Sequence, residues 1–273
     1  MVKNDLFSFE FNSRNKSSFW NTGGWVAPKI YYTGYANVIN FAGIRIGGLS
    51  GIYKPQDFYK GHHEIPPYNP GTCRSVYHVR NLETFRLSQL KKPLDIMLTH
   101  DWPLGVYHHG NKDQLIKFKP FFAEEIHNNT LGSPENEKLL KLLKPKYWFS
   151  AHLHVKFACV YRHSVHDASS DLTTKFLSLD KCLPNKRFMQ VIEIEGDASL
   201  EKVLSLDEEW LCILKKTDHL LSIESYTQAP ISLKENVQVT EEDLNEVEKN
   251  WITILTENVF KFAFSFLDQR GFC

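Results

Sequence analysis

The chain has 273 residues, of which 42% are hydrophobic and 13% aromatic, and it carries five cysteines. This composition excludes a disordered or low-complexity chain, because such chains have too few apolar residues to bury a core. The net charge of zero does not exclude a nucleic-acid-binding protein, because residues 1–192 hold 25 basic and 15 acidic residues, whereas residues 193–273 hold 7 and 17.

The cysteines and the hydropathy pattern bear on the cellular location. The five cysteines show no metal-binding or disulfide spacing, which favours reduced thiols over a disulfide framework, with a catalytic thiol as the weaker alternative. No apolar run approaches the roughly 20 residues that span a bilayer. We therefore expect a soluble protein of the nucleus or cytosol with no membrane partner.

The first predicted strand runs from Val38 to Ile46 and leads into a glycine-rich turn at Gly47–Gly51. The loop after this turn, residues 52–80, mixes cations with aromatic rings. Such a mixture is typical of single-stranded RNA recognition, because cations bind phosphates and rings stack on unpaired bases. Composition alone favours a packed surface loop instead. The candidate RNA contacts are Lys54, Tyr59, Lys60, His62, Tyr68, Arg74, Tyr77 and Arg80, with the two lysines and two arginines as the phosphate contacts.

Two later segments share a layout of helix, Lys-Pro stop, short strand and histidine. In the first segment, Asn81 is predicted to cap a helix that runs through Leu90, and Lys92-Pro93 stops it. The apolar strand Leu94–Leu98 follows, and His100 comes directly after it.

The second segment begins with a stronger helix signal. Ser133-Pro134 predicts an N-cap followed by proline in the first turn, and Lys144-Pro145 predicts the stop. The strand Tyr147–Ser150 follows, and it leads to His152 and His154.

These strands are expected to deliver His100, His152 and His154 to one edge of one sheet, because the loops at the carboxyl ends of parallel strands converge. An extended backbone would turn His152 and His154 to the same side. Three imidazoles would suit Zn, Mn or Fe. A surface or hydrogen-bonded histidine pair is the competing interpretation, and both stay open.

The last third of the chain predicts two further features. Alternating apolar residues predict paired strands at Thr174–Cys182 and Met189–Glu195. Thr240 and Asp243 predict the start of a helix whose apolar face, Leu244, Val247, Trp251, Ile254 and Leu255, would dock on the body. The acidic outer face of this helix is expected to be solvated.

Several of these segments resemble the RNA lariat debranching enzyme family of the metallophosphoesterase superfamily. The similarity extends from about Gly23 to Trp210 and is weak beyond about Tyr226. The segments that carry it are Gly23–Tyr32, Gly47–Lys54, Pro66–Asn69, Tyr77–Arg80, His100–Pro103, Asn128–Pro134, Trp148–Phe157 and Thr174–Pro184.

The resemblance implies an α/β (α+β) fold, a two-sheet sandwich flanked by helices. It implies three parts: a divergent segment (1–22), a partial metallophosphoesterase-like core (23–157) and a C-terminal lariat-debranching-type domain ending in an acidic helix (158–273). The implied activity is hydrolysis of the 2′,5′-phosphodiester at the branch point of excised intron lariats, in the nucleus or also the cytoplasm. By position, His100, His152 and His154 correspond to metal ligands, and residues 52–80 correspond to the lariat-recognition segment.

The resemblance also implies a divalent metal cofactor, Mn, Fe or Zn, with two ions in the family. Family members carry a Cys-x-His or Asp-x-His motif, a Gly-Asp motif and Gly-Asn-His-Glu ahead of the Gly-Gly-Trp segment, and none of these occurs ahead of that segment in this sequence. A pair of ions needs anionic bridging ligands, so one ion or none is expected here. The family's proton-donor histidine has no counterpart, which leaves the catalytic residues unassigned.

We therefore expect an N-terminally incomplete fold and an impaired phosphodiesterase, through either an incomplete sequence or a catalytically dead form. The expected partner is branched intron RNA, bound by a monomer. One alternative is a non-catalytic module that binds branched RNA or a splicing factor. A second alternative is a generic metallophosphatase acting on small phosphomonoesters.

Overall fold

The computed structural model describes residues 23–28, 30–163, 172–197, 199–231 and 237–249. Within these ranges the strands are β1 (Gly24–Ala27), β2 (Ile30–Tyr32), β3 (Ala36–Phe41), β4 (Ile44–Leu49), β5 (Ile96–Thr99), β6 (Tyr147–Ser150), β7 (Phe157–Arg162), β8 (Thr173–Ser178) and β9 (Leu204–Leu206). β1 and β2 form a separate hairpin, and the other strands form one sheet in the order β7-β8-β6-β5-β4-β3-β9.

The helices lie between and after these strands. They are α1 (Pro55–Phe58), α2 (Thr72–Ser75), α3 (Asn81–Ser88), α4 (Lys112–Phe118), α5 (Phe122–His127), α6 (Pro134–Leu143), α7 (Glu208–Lys216) and α8 (241–249), with single 3₁₀ turns at Val106–His109 and Asp218–Leu220. No helix in the described ranges has the length and apolar character needed to cross a bilayer. The mixed sheet flanked by helices confirms the predicted α/β class.

The centre of the sheet is parallel. β4, β5, β6 and β8 run in the same direction, and β3, β7 and β9 pair antiparallel at the two sides. The carboxyl ends of the parallel strands therefore meet at one edge, which is where ligands bind in α/β sheets. Strands from both the predicted core and the predicted C-terminal domain join this sheet, and the division into domains stays a prediction.

One face of the sheet is the core of the protein. Directly opposed residues on this face are Val38, Gly47, Met97, Trp148 and Phe176, and all of them are buried. Gly47 is required here, because a β-carbon at this position would lie 2.9 Å from both the Leu94 side chain and the Met97 sulfur. The missing side chain at Gly47 therefore leaves room for Leu94 and Met97 to pack against β4.

The prediction of one strand from Val38 to Ile46 followed by a glycine turn is wrong. The chain instead forms the hairpin β3–β4, whose turn is Ala42-Gly43, both with positive φ (51° and 76°). Tight hairpin turns require this backbone conformation. Gly47 and Gly48 lie inside β4, where their small size serves packing.

The prediction of paired strands at Thr174–Cys182 and Met189–Glu195 is correct only for the first. β8 covers Thr173–Ser178, but it pairs with β6 and β7. Met189–Glu195 is described and forms no strand, and Met189 is 71% exposed. Alternation of residue types thus identified a strand but not its partner.

The second histidine unit follows its prediction closely. Ser133 caps α6 by accepting a hydrogen bond from the Asn136 amide, Lys144 ends the helix with φ of 47°, and β6 has the predicted bounds. In the first unit, Asn81 is the first helical residue, and the cap position belongs to Arg80, whose amide donates to Glu83.

Ion pairs join α7 to the sheet and α8 to α7. Arg45 on β4 forms ion pairs of 2.7 Å with Asp207 and 2.6 Å with Glu209, at the start of α7. α8 begins with the predicted Thr240–Asp243 cap, and Lys216 on α7 binds Asp243. Val247 on the predicted apolar face of this helix is buried, and docking of the whole face stays a prediction; Trp251, Ile254 and Leu255 lie outside the described residues.

Candidate active site at the histidine edge

Two of the predicted histidines meet at the carboxyl edge of the sheet. β5 ends at Thr99 and β6 ends at Ser150, so the turns that follow these neighbouring strands carry His100 and His152 side by side. His100 Nε2 lies 3.1 Å from His152 Nδ1, and the ring centroids are 5.0 Å apart. The Ala151 amide also donates to the His100 carbonyl, which joins the two turns through the backbone.

The backbone at His152 and His154 is not extended, contrary to the prediction. Both residues have positive φ, 48° and 50°, and the Leu153 amide between them donates to the Ala151 carbonyl. Left-handed backbone is uncommon for residues other than glycine and concentrates at functional sites. The turn therefore holds His152 against His100 in a conformation that the sequence pattern does not favour.

A buried hydrogen-bond network fixes the turn after β5. The Asp101 carbonyl accepts from Thr99 Oγ1 at 2.8 Å, from Ser150 Oγ at 3.2 Å and from Asn136 Nδ2 at 2.9 Å. Trp148 Nε1 donates to Thr99 Oγ1 from the core side. The Asp101 carbonyl thus accepts hydrogen bonds from side chains on β5, β6 and α6. Because Asp101 follows His100 directly in the chain, these bonds fix the backbone next to His100.

Trp102 fixes the second turn. Its indole Nε1 donates to the Ala151 carbonyl at 3.0 Å and lies 3.1 Å from Ser178 Oγ. The ring itself is fully buried. The residue before His152 is therefore tied to the core by a side chain that begins two residues after His100.

Burial and neighbouring charge set the protonation of the site. Burial lowers the pKa of His100 and of His152, and the charge of a neighbouring imidazole lowers each further. The charge of Lys54 also lowers the pKa of His152. Burial raises the pKa of Asp101, against hydrogen bonds from two backbone amides. Both imidazoles of the pair are thus favoured in the neutral form, which can bind a metal ion or exchange a proton.

The donor chemistry fits part of a metal centre. Two nitrogen ligands of a tetrahedral ion lie about 3.4 Å apart, since metal–nitrogen bonds are about 2.1 Å, and the His100–His152 separation of 3.1 Å is close to this. His154 is near enough for its charge to lower the pKa of both other histidines. Among the described residues, however, no three His, Cys, Asp or Glu side chains are arranged to hold a metal ion.

A cavity of about 400 Å³ opens beside His100. It lies between the strand ends and the loop of residues 52–80, and its lining residues are Thr33, Leu49, Ser50, Gly51, Tyr77, Leu98, Thr99 and His100. Tyr77 comes from the cation and aromatic loop, so the structure brings this loop and His100 to the same cavity.

The loop presents part of its predicted RNA contacts to solvent. Lys54, Tyr68, Arg74 and Tyr77 are exposed. Tyr59 and Lys60 are half-buried, and Lys60 forms an ion pair of 2.8 Å with Asp57. The exposed members could reach a polyanion without disturbing the fold.

Arg80 and His62 are placed differently from the expectation. Arg80 is 1% exposed, and its guanidinium binds Glu64 at 2.7 Å and the His78 carbonyl at 3.2 Å. His62 stacks on Tyr35, with centroids 3.7 Å apart, and binds Glu83 at 2.9 Å. Both side chains stabilise the loop through contacts within the protein, so neither is presented to a phosphate.

Several known proteins are similar to this chain in sequence. A family model described as lariat debranching enzyme, C-terminal domain, matches residues 171–266. The chain is 57% identical to the lariat debranching enzyme of Homo sapiens over 202 residues, 74% of this chain and 37% of that protein. It is 53% identical to that of Gallus gallus over 240 residues, 88% and 43% of the two chains. Identity to that of Drosophila melanogaster is 46% over 267 residues, 82% and 50%.

The chain belongs to the lariat debranching enzyme family. It spans about half or less of the length of the relatives it matches.

Sequence reasoning missed the residues that support the histidines in this lariat debranching family member. Thr99, Ser150 and Asn136 were not singled out, although two of them directly end the strands that carry the histidines. A hydroxyl at the last position of both β5 and β6 was a usable signal. Asn136 carried no signal, because its contact with Asp101 spans 35 residues.

Proposed function

We propose that this chain acts on branched RNA, as the names of its relatives describe, by hydrolysing the 2′,5′-phosphodiester at the branch point of intron lariats. The observation that carries the proposal is the neutral-favouring His100–His152 pair, 3.1 Å apart, beside a cavity shared with an exposed cationic and aromatic loop. Phosphodiester hydrolysis in a structured RNA needs a proton-exchanging or metal-binding edge, neutralisation of phosphate charge and contacts to flanking bases.

The residues divide between two roles in this proposal. His100 and His152 face the scissile phosphate, and the Asp101 carbonyl network keeps His100 in place. Lys54, whose charge reaches His152, binds the phosphate oxygens. Tyr68, Arg74 and Tyr77 contact the flanking nucleotides. Arg80 and His62 hold the loop in shape from inside.

A divalent ion, Mn, Fe or Zn, is part of the proposal. His100 and His152 would hold it, and the bound ion would supply an activated water and charge neutralisation. Titration with Co²⁺ tests this part without any reaction, because nitrogen coordination changes the visible spectrum of the ion. His152→Ala should abolish the spectral change, while His127→Ala, an exposed histidine at the end of α5, should leave it.

We propose that turnover is impaired, because within the described ranges no three His, Cys, Asp or Glu side chains are grouped to hold a metal ion. The test is cleavage of a branched oligonucleotide by the purified 273-residue chain, with Mn²⁺, Fe²⁺ or Zn²⁺ supplied, beside a linear oligonucleotide of the same sequence. Slow cleavage confined to the branched substrate and lost in His152→Ala supports the proposal. Rapid cleavage contradicts the impairment, and cleavage of both substrates contradicts branch specificity.

Branched-RNA binding without turnover is the second candidate function. It is favoured by the same incomplete ligand set together with the exposed loop cations. Filter binding at several salt concentrations separates the two: tight, salt-dependent binding of the branched oligonucleotide without any cleavage favours the binding module. Hydrolysis of p-nitrophenyl phosphate in place of either would favour a generic phosphatase.

A further inference from the structure

The carboxyl edge of the sheet continues past the histidine pair, on the side away from the loop of residues 52–80. The strands lie along this edge in the order β4, β5, β6 and β8. The loop leaves β4, His100 follows β5, His152 follows β6, and Lys181 lies in the turn after β8. The histidine pair therefore has the loop on one side and the turn after β8 on the other.

The segment that leads into α4 lies on the β8 side of this edge. Phe157 begins β7 and is paired with Ser178, which ends β8, so β7 starts at the carboxyl edge. Gly110 forms an antiparallel bridge with Cys159, and a β-carbon on Gly110 would lie 2.6 Å from the Phe157 ring. α4 begins two residues later, and its Leu115 is buried in the core. These contacts hold α4 on the β8 side of the histidine pair.

Two aromatic rings at the end of α4 are presented to solvent. Phe118 is 59% exposed and Phe121 is 67% exposed. Phe121 packs edge-on against the buried Phe122, with ring centroids 4.7 Å apart, which holds its ring in place. Lys119 Nζ lies 5.8 Å from the centroid of the Phe121 ring. Exposed rings and a cation thus share one surface at this end of the helix.

Lys119 and a lysine from the turn after β8 approach the same histidine. His154 lies in the turn between β6 and β7 and is exposed. Partial burial lowers the pKa of His154, and the charges of Lys181 and Lys119 lower it further, against the charge of Asp180. Screening limits such effects to about 10 Å, so both ammonium groups lie near this ring. Asp180 is itself paired with Lys186 at 3.8 Å, so positive charge predominates around His154.

The exposed rings and cations of this region have the chemistry that single-stranded RNA requires. Rings stack on unpaired bases, and cations bind the phosphates between them. Three strands leave the branch nucleotide of a branched RNA, because its sugar carries a phosphodiester at the 2′, 3′ and 5′ positions. Surfaces on both sides of the histidine pair can therefore hold different strands of one molecule.

We propose that Phe118, Lys119, Phe121 and Lys181, here called the second surface, hold one strand of a branched RNA while the loop of residues 52–80 holds another. Branched RNA as the ligand is taken from the proposed function, on which the second surface rests. Two separated surfaces favour a branched RNA over a linear one, because a strand that reaches only one of them lacks the contribution of the other.

Filter binding of a branched oligonucleotide by the full chain at several salt concentrations tests the two lysines. Lys119→Ala combined with Lys181→Ala should lower the slope of log affinity against log salt by about 1.4, since each phosphate contact to a single strand contributes about 0.7. The matched control is Lys92→Ala combined with Lys202→Ala, two exposed lysines at the amino edge of the sheet, which should leave the slope unchanged.

The outcomes separate the second surface from the proposed function. An unchanged slope in the Lys119 and Lys181 variant, together with a lower slope in Lys54→Ala, would overturn the second surface and leave the proposed function standing. Failure of the unaltered chain to bind the branched oligonucleotide would overturn both.

Substitution of one ring tests stacking. Phe121→Ala should weaken binding of the branched oligonucleotide by at least about fivefold, because one stacked base is lost. Phe121→Tyr keeps an aromatic face and should stay within about twofold of the unaltered chain. Equal affinities in the two variants would overturn the assignment of Phe121 to a stacked base.

Photo-crosslinking of the unaltered chain decides the question without any variant. The branched oligonucleotide carries 4-thiouridine in one of its three strands at a time, and each version is irradiated with the protein. One strand should cross-link to a peptide containing residues 118–121, and a different strand to a peptide from residues 52–80. Cross-links that avoid residues 118–121, or that join both peptides to the same strand alone, would overturn the proposal.

Discussion

His100 of the histidine edge and Tyr77 of the loop of residues 52–80 line one cavity, yet different interactions hold the two regions in place. The turns depend on hydrogen bonds between uncharged groups, centred on the Asp101 and Ala151 carbonyls. The loop depends on side-chain pairs between a carboxyl group and a nitrogen donor, Arg80–Glu64, His78–Asp57 and His62–Glu83. The comparison teaches that a cation in a loop of RNA-binding composition can stabilise the fold instead of binding RNA. Residue type alone therefore does not identify the side chains that contact a ligand.

The largest effect is expected at the buried ion pair of the loop. Arg80→Ala leaves Glu64 buried without its charged partner, which should lower the free energy of unfolding by about 3–5 kcal/mol in urea denaturation. Arg74→Ala, an exposed arginine of the same loop, should change it by less than about 0.5 kcal/mol. Similar losses in both variants would contradict the division between internal and exposed cations.

Acidification should destabilise the protein through His163, the residue after β7. Burial lowers the pKa of His163 to about 4, and the neutral ring bonds Thr174 at 2.8 Å. Because the folded pKa lies below the usual 6.5, stability is complete above pH 6.5 and falls as the pH drops toward 4, by on the order of 2 kcal/mol. His163→Gln should flatten this dependence in unfolding measured between pH 7 and 4. His127→Gln should retain it, and an unchanged profile in His163→Gln would contradict the assignment.

A smaller effect is expected beneath the histidine edge. Asn136→Ala removes one of the three donors to the Asp101 carbonyl, which should lower the free energy of unfolding by about 1–2 kcal/mol. Lys138→Ala on the exposed side of α6 loses only a surface ion pair and serves as the control. Equal destabilisation by the two changes would show that the network adds nothing beyond helix stability.

Local signals in the sequence predicted much of this fold. The Ser133 cap, the Lys144 stop and β6 were placed correctly, because each depends on a few adjacent residues. The meeting of His100 and His152 followed from the repeated unit and from the convergence of parallel strand ends. Gly47 was misassigned, because its role depends on Leu94 and Met97, which lie about fifty residues away.

The function of individual side chains was harder to predict. Nothing near Arg80 in the sequence indicates that Glu64 would enclose its guanidinium, since the pair forms only when the loop folds back. The left-handed backbone at His152 was equally hidden, because the tight turn depends on the bonds that Trp102 and His100 make to Ala151. Tertiary contacts decided both cases.

The smallest effect on stability, and the most selective effect on binding, is expected at Lys54. This exposed side chain near His152 should be dispensable for folding, so Lys54→Ala should change the free energy of unfolding by less than about 0.5 kcal/mol. If it binds phosphate, the slope of log affinity for branched RNA against log salt should fall by about one. An unchanged slope would remove Lys54 from the RNA contacts.

The way Gly51 joins β4 to the loop limits how this protein can be re-engineered. Gly51 has φ of 96°, and a β-carbon there would lie 2.1 Å from the Tyr77 carbonyl oxygen. Next to this contact, the Ile52 amide donates to the Tyr77 carbonyl, and the Val79 amide donates to the Ile52 carbonyl. Any other L-amino acid at this position would force the segments around Gly51 and Tyr77 apart. A designer who transplants the loop of residues 52–80 onto another scaffold must therefore carry Gly51 along with it, and a library that diversifies the loop should leave that one codon fixed.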